Sequence, residues 1–381
     1  MLKELNKSWI PGALYGVLLV LVVLCTLLFS GATNLTGQAR QDLALANTLL
    51  NAVILAVGVF CALFLALRSI PRALLVGLLL VLRWIGPATV QSGIVLDTVL
   101  LAVLSGLGNA RNNGLAWLAS HVLYVLLLFV LMRAGWAQEA LVQGTKAFWI
   151  FQVGHSYGMG HPNSIAILFL TTWLMIWVLF LPRRWWVTPL IMWGGAFIVY
   201  AMTLCRTVAV LMIIFPILYI PMDALGRSKR AGVLRGLSPL PFLMMAVTVV
   251  LGLMSNTLRQ YFPDGAFWAR FTDFEQLRAD GLSLFGAAPS AFRYFDNLYL
   301  WLLMFSGLIP TIGVLAMYAY MLYKLARERR IKLLAVAVMF LAYGLMENAA
   351  VYSMYFFVPM LAFAQPELPD SRDKEPAAEV S

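Results

Sequence analysis

Residues 10–30 read IPGALYGVLLVLVVLCTLLFS, a run without a single charge. At about 1.5 Å of rise per residue, a helix of this length crosses a hydrocarbon core about 30 Å thick. Lys3 and Lys7 precede it, as in a secretory signal, but the run exceeds the roughly 7–15 apolar residues of such a signal and reads as a retained helix. The same pattern recurs outward along the chain, at Leu45–Leu67, in a shorter pair Ala73–Trp84 and Ile94–Leu107, and then at Leu115–Leu131, Ser164–Leu181, Trp186–Tyr200, Val208–Ile220, Pro241–Met254, Tyr299–Tyr323, Leu333–Met346 and Val351–Phe363. About twelve crossings are predicted.

Composition supports this. Of 381 residues, 62% are hydrophobic and 12% charged, with a mean hydropathy of +0.86. Such a chain has too little polar surface to cover its own core in water, which excludes a soluble globular protein. The expected fold is an all-α, polytopic integral membrane helix bundle. One transmembrane domain spans 1–364, outer loops at about 133–163 and 256–297 form an extracytoplasmic subdomain, and a polar, disordered tail occupies 365–381.

With the N-terminus inside, the 27 Lys and Arg divide two to one in favour of the inner loops, which places both termini in the cytoplasm. The net charge of +10 is thus topogenic. Its dispersal among short loops argues against a nucleic-acid surface. Three cysteines, all in or beside apolar runs, and three histidines leave little material for disulfides or a metal centre.

Four constellations carry chemistry. Gly154–Asn163 reads GHSYGMGHPN and holds His155 and His161 just before a helix that opens at Pro162. An imidazole at the mouth of a bundle can take a proton from a hydroxyl near neutral pH; the plainer reading is an interface histidine bonded to loop carbonyls. Thr203–Thr207 reads TLCRT and sets Arg206 between two apolar runs, as a functional cation or as an anchor that snorkels to headgroups. The loop Tyr261–Asn297 carries Arg270, Arg293 and Asp296 among aromatics, and its stretch Phe267–Leu277 reads as a surface helix. Arg270 would there bind a diphosphate in two-pronged fashion or simply pair with Asp273 or Glu275. Glu347-Asn348, between the last two spans, must be paired or functional. All four map to one side.

These pieces resemble a bacterial Wzy-type oligosaccharide repeat-unit polymerase, the family that assembles O-antigen, capsule or exopolysaccharide. The resemblance rests on Gly160-His161-Pro162-Asn163, Cys205-Arg206-Thr207, Gly281–Gly286, Phe295-Asp296-Asn297-Leu298-Tyr299 followed by Gly307, and Glu347-Asn348, in that order through the second half. It implies a metal-independent, cofactor-free glycosyltransferase of the bacterial inner membrane. Its partners would be undecaprenyl-diphosphate-linked oligosaccharides and membrane lipid, with chain-length regulator and flippase proteins. His161, and second His155, would position or deprotonate the acceptor. Arg206 and Arg270 would stabilise the diphosphate, with Arg293, Asp296, Glu347, Asn163, Asn297 and Tyr299 as substrate-binding residues, and a carboxylate as the alternative base. An O-antigen ligase-like transferase and a transporter without chemistry are the competing readings. The latter should keep ionisable groups at depth on interrupted helices, where Asp97 stands nearly alone.

Overall fold

The computed structural model describes residues 9–85, 90–143, 153–182, 184–261, 274–275, 281–286 and 296–365. Arg270, Arg293 and the tail beyond Gln365 lie outside them. The first half holds α1 (Ile10–Phe29), a short α2 (Gly37–Asp42), α3 (Ala44–Ala66), α4 (Ile70–Ile85), α5 (Val90–Leu104) and α6 (Ala110–Arg133). Strands β1 (Leu141–Gln143) and β2 (Val153–His155) follow, then α7 (Pro162–Phe180), α8 (Val187–Thr203) and α9 (Arg206–Arg227). The remainder is α10 (Leu240–Leu253), α11 (Ser255–Tyr261), α12 (Leu298–Ser306), α13 (Leu308–Arg327), α14 (Ile331–Tyr343) and α15 (Val358–Ala362).

Seven helical stretches among the described residues are long and apolar enough to cross a membrane, which makes this a multi-pass helical membrane protein. They are α1, α2 with α3, α6, α7, α9, α10 with its 3-10 lead-in, and α13. Their outward faces stay apolar, as at Leu63, Val122, Leu126, Phe129, Val210 and Ile217, because lipid is their solvent. In the first half α1 packs on α3 and α6; in the second, α9 packs on α8 and α14.

The predicted span Tyr299–Tyr323 is broken. Gly307, at φ +82, ends α12, and a side chain there would run into the backbone of Phe285 and Gly286. Loop 281–286 fills the break: Leu308 and Ile309 donate their N–H groups to the Ser283 and Leu284 carbonyls at 2.9 and 3.0 Å. All nine residues of α12 are buried.

The predicted last span is not one helix either. After α14 the chain passes through Glu347 and a 3-10 turn at Ala349–Val351, runs irregularly to Phe357 and forms only the five-residue α15. Apolar environments tolerate irregular backbone only where its polar groups find partners. Side chains supply them. Tyr318 Oη donates to Ala350 O at 2.6 Å, Thr98 Oγ1 to Val351 O at 2.6 Å, Trp117 Nε1 to Ser353 O at 2.9 Å and Asn113 Nδ2 to Met360 O at 3.1 Å, while His121 Nε2 lies 2.9 Å from Met354 O. Asn113, Trp117 and His121 are spaced by four and so form one polar stripe on α6.

A second correction concerns Asp97, which the sequence left nearly alone at depth. Its carboxylate meets Arg83 Nε at 2.5 Å, and Arg83 also donates to Asn51 Oδ1 at 2.8 Å. Three helices, α3, α4 and α5, thereby close a buried polar centre.

Candidate active site

The 133–163 segment, expected as a loop, contains an antiparallel hairpin that pairs Leu141 with His155, Val142 with Gly154 and Gln143 with Val153. Single bridges from Thr33 to Met159 and from Leu35 to Ala137 tie it to the turn after α1. Gly154 lets β2 lie directly on the end of α8, since any side chain there would strike the Thr203 carbonyl. The hairpin thus roofs the α8–α9 corner.

That corner is two residues long. Leu204 takes the left-handed conformation at φ +56, donating its N–H to Tyr200 O at 2.9 Å, and α9 begins at Arg206. Thr203 Oγ1 accepts the Cys205 N–H at 3.2 Å and donates to Val199 O at 2.7 Å, which fixes the turn. A branched side chain at positive φ costs about 1–2 kcal/mol, so this reversal is imposed by its surroundings.

Between hairpin, corner and the start of α7 lies a cavity of about 320 Å³, lined by Val142 and Gln143, by His161, Pro162 and Asn163, and by Tyr200 and Thr203–Thr207. Two long helices, α7 and α9, therefore point their N-termini at one space, and Arg206 stands at its edge. Each N-terminus carries roughly half a positive charge. The combination favours an anion, phosphate above all.

His161 caps α7: its Nδ1 accepts the Asn163 N–H at 3.1 Å. The ring opens onto the cavity, where loss of surrounding water lowers its pKa below the ordinary value, while the nearby Asp296 carboxylate acts in the opposite direction. Burial pushes the Cys205 thiol up to about 11 against the backbone N–H groups of Val208 and Thr207, which favour the thiolate, while the charge of Glu347 adds to the rise. Asp296 and Glu347 thus both belong to the surroundings of this cavity. Tyr355 shares a hydrogen bond with the side chain of Ser164, the residue after Asn163, and feels the charge of Glu347.

The sequence candidates divide accordingly. His161, Asn163 and Arg206 line the cavity, with Asp296 and Glu347 near it. His155 does not line it; it sits on β2, with Nδ1 2.8 Å from Glu139 Oε1. Asn297 and Tyr299, expected to bind substrate, are committed to the fold instead. Asn297 Oδ1 accepts the N–H groups of Tyr299 and Leu300, both at 2.9 Å, and its Nδ2 donates to Leu345 O, because an Asn before a helix is a natural N-cap. Tyr299 is fully buried and donates to Leu341 O at 2.7 Å. Sequence reading missed Gln143 and Tyr200, both in the cavity lining; only Tyr200, the aromatic residue one turn before Thr203, carried any signal. Among the described residues no three His, Cys, Asp or Glu side chains cluster as for a metal.

No family model, curated protein or solved structure matches this chain.

Proposed function

We propose that this chain is a polymerase of the bacterial inner membrane that joins undecaprenyl-diphosphate-linked oligosaccharides at the outer leaflet. In this reading both termini are cytoplasmic and the bundle makes about twelve crossings, its shorter helices included. The observation that carries the reading is the cavity at which the N-termini of α7 and α9 meet His161 and Arg206. Sugar C1 of the growing chain breaks its bond to the diphosphate oxygen and forms a glycosidic bond to a hydroxyl of the incoming repeat unit. The hydroxyl proton passes to a base, and undecaprenyl diphosphate leaves. Arg206 and the two helix ends would hold the diphosphate and stabilise charge as it grows on the leaving oxygen. Glu347 and Asp296 supply carboxylates at the same mouth, and Asn163 an amide for the glycan.

Reconstitution of the purified protein with defined lipid-linked repeat units tests this. A ladder of products is expected; one transfer to a different lipid acceptor would indicate the ligase reading, and no new glycosidic bond would refute an enzyme. The transporter reading has one observation in its favour, the irregular segment at which Glu347 sits, since transporters use interrupted helices. Movement of lipid-linked glycan across liposomes without polymer would select it. Cysteine labelling should find residue 155 outside and residues 229 and 329 inside; the reverse would overturn the orientation.

A further inference from the structure

We propose that His161 acts as a neutral hydrogen-bond donor, its Nε2–H directed to the phosphate oxygens beside Arg206, and that it is not the base. The inference rests on the polymerase reading for its substrate and on the cap of α7 for its chemistry. The Asn163 N–H points into His161 Nδ1 at 3.1 Å. A ring nitrogen that accepts a backbone N–H has its lone pair engaged and carries no proton, so the proton of the neutral ring resides on Nε2. The other tautomer would set two N–H groups face to face. Neither nitrogen then offers a lone pair to a hydroxyl: Nδ1 is occupied by the cap and Nε2 is already protonated.

What remains for a ligand in the cavity is one donor of fixed direction, held by the first turn of a 19-residue helix. Such a donor suits an anion. With the guanidinium of Arg206 it forms a mixed pair, one charged and two-pronged, the other neutral and single, and this fits the two phosphates of a diphosphate. The acceptor's proton must go elsewhere. A carboxylate receives it as the glycosidic bond forms and the diphosphate departs, Asp296 and Glu347 being the two whose charges reach residues of the cavity.

The test compares His161→Gln with His161→Ala in the full chain. Glutamine carries an amide N–H at about the reach of imidazole Nε2 and has no basic nitrogen. If His161 is a donor, H161Q keeps polymerisation within about tenfold of the parent protein, whereas H161A loses about 100-fold or more. If it is the base, both fall together by roughly 100- to 10,000-fold, and the proposal is overturned. Nitrogen-15 NMR of histidine-labelled protein gives a readout independent of activity: the Nε2–H tautomer supports the proposal, and the Nδ1–H tautomer overturns it. Inorganic pyrophosphate is the binding probe, and it should bind H161Q but bind H161A more weakly. Should the parent protein make no polymer yet display the Nε2–H tautomer and bind pyrophosphate, the polymerase reading fails and the donor assignment stands. Active parent protein with equally inactive, correctly folded H161Q and H161A removes the donor assignment alone.

Discussion

Arg83 and Arg206 sit in two regions of this molecule that are built oppositely. Around Arg83 the helices α3, α4 and α5 close on the charge: the Arg83 and Asp97 side chains are only 14% and 12% exposed, and Asn51 takes a further guanidinium hydrogen bond. Around Arg206 the backbone opens. A two-residue corner, a hairpin and a helix start leave a cavity of about 320 Å³, and the charges of Asp296 and Glu347 reach two of its lining residues, His161 and Cys205. An intramembrane arginine locked between packed helices is a strut, whereas one that lines a cavity at which two helix N-termini meet is placed for a ligand.

Breaking the closed centre should have the largest effect. Arg83→Ala leaves Asp97 buried and uncompensated, which costs about 3–5 kcal/mol, while the joint replacement Arg83→Met with Asp97→Leu should recover most of that loss. Thermal unfolding in detergent reads both; equal destabilisation by the single and double variants would show that the pair is not the unit. At the open site the expectation reverses. Arg206→Lys keeps the charge but not the planar fork, and should cut polymerisation about 100-fold, near 2.7 kcal/mol of transition-state stabilisation, with little change in melting. Unchanged polymer length and yield would reduce Arg206 to a headgroup anchor.

Two smaller tests sharpen the contrast. Thr98→Val preserves shape and deletes the donor to Val351 O, leaving a buried carbonyl short of a partner at about 1–2 kcal/mol, which hydrogen exchange in residues 349–357 would register as faster opening. His155→Ala removes a half-exposed pair with Glu139, an interaction of about 0–1 kcal/mol, and should leave most polymerising activity intact. A loss as deep as that of His161→Ala would move the catalytic centre onto the hairpin.

Much of this was written in the sequence in a form that physics can read. Runs such as 10–30 announce membrane helices through length and apolarity alone. His161 and Arg206 each stand at a helix start, signalled by Pro162 and by the break at Leu204-Cys205. Their meeting is not signalled, because it depends on a left-handed Leu204 and on Gly154 lying against Thr203. Val351–Phe363 illustrates the other failure: hydropathy reports burial, and a buried irregular strand of chain is as apolar as a helix. The legible clue lay elsewhere, in the spacing of Asn113, Trp117 and His121, a polar stripe that an isolated membrane helix has no reason to carry. Asn297 and Tyr299 misled for a related reason. Capping and catalysis draw on the same polar residues, and only the partners tell them apart.

The stripe on α6 has a consequence in time. Synthesis releases the chain from its N-terminal end, so α6 enters the membrane long before residues 349–362 exist. Until they arrive, Asn113 and Trp117 lack the Met360 and Ser353 carbonyls to which they donate in the finished fold. The segment itself, with its short 3-10 turn and five-residue helix, makes too few internal backbone bonds to enter lipid alone. Assembly therefore finishes from the inside, the last-made piece serving as the keystone of a vault whose outer stones are already set.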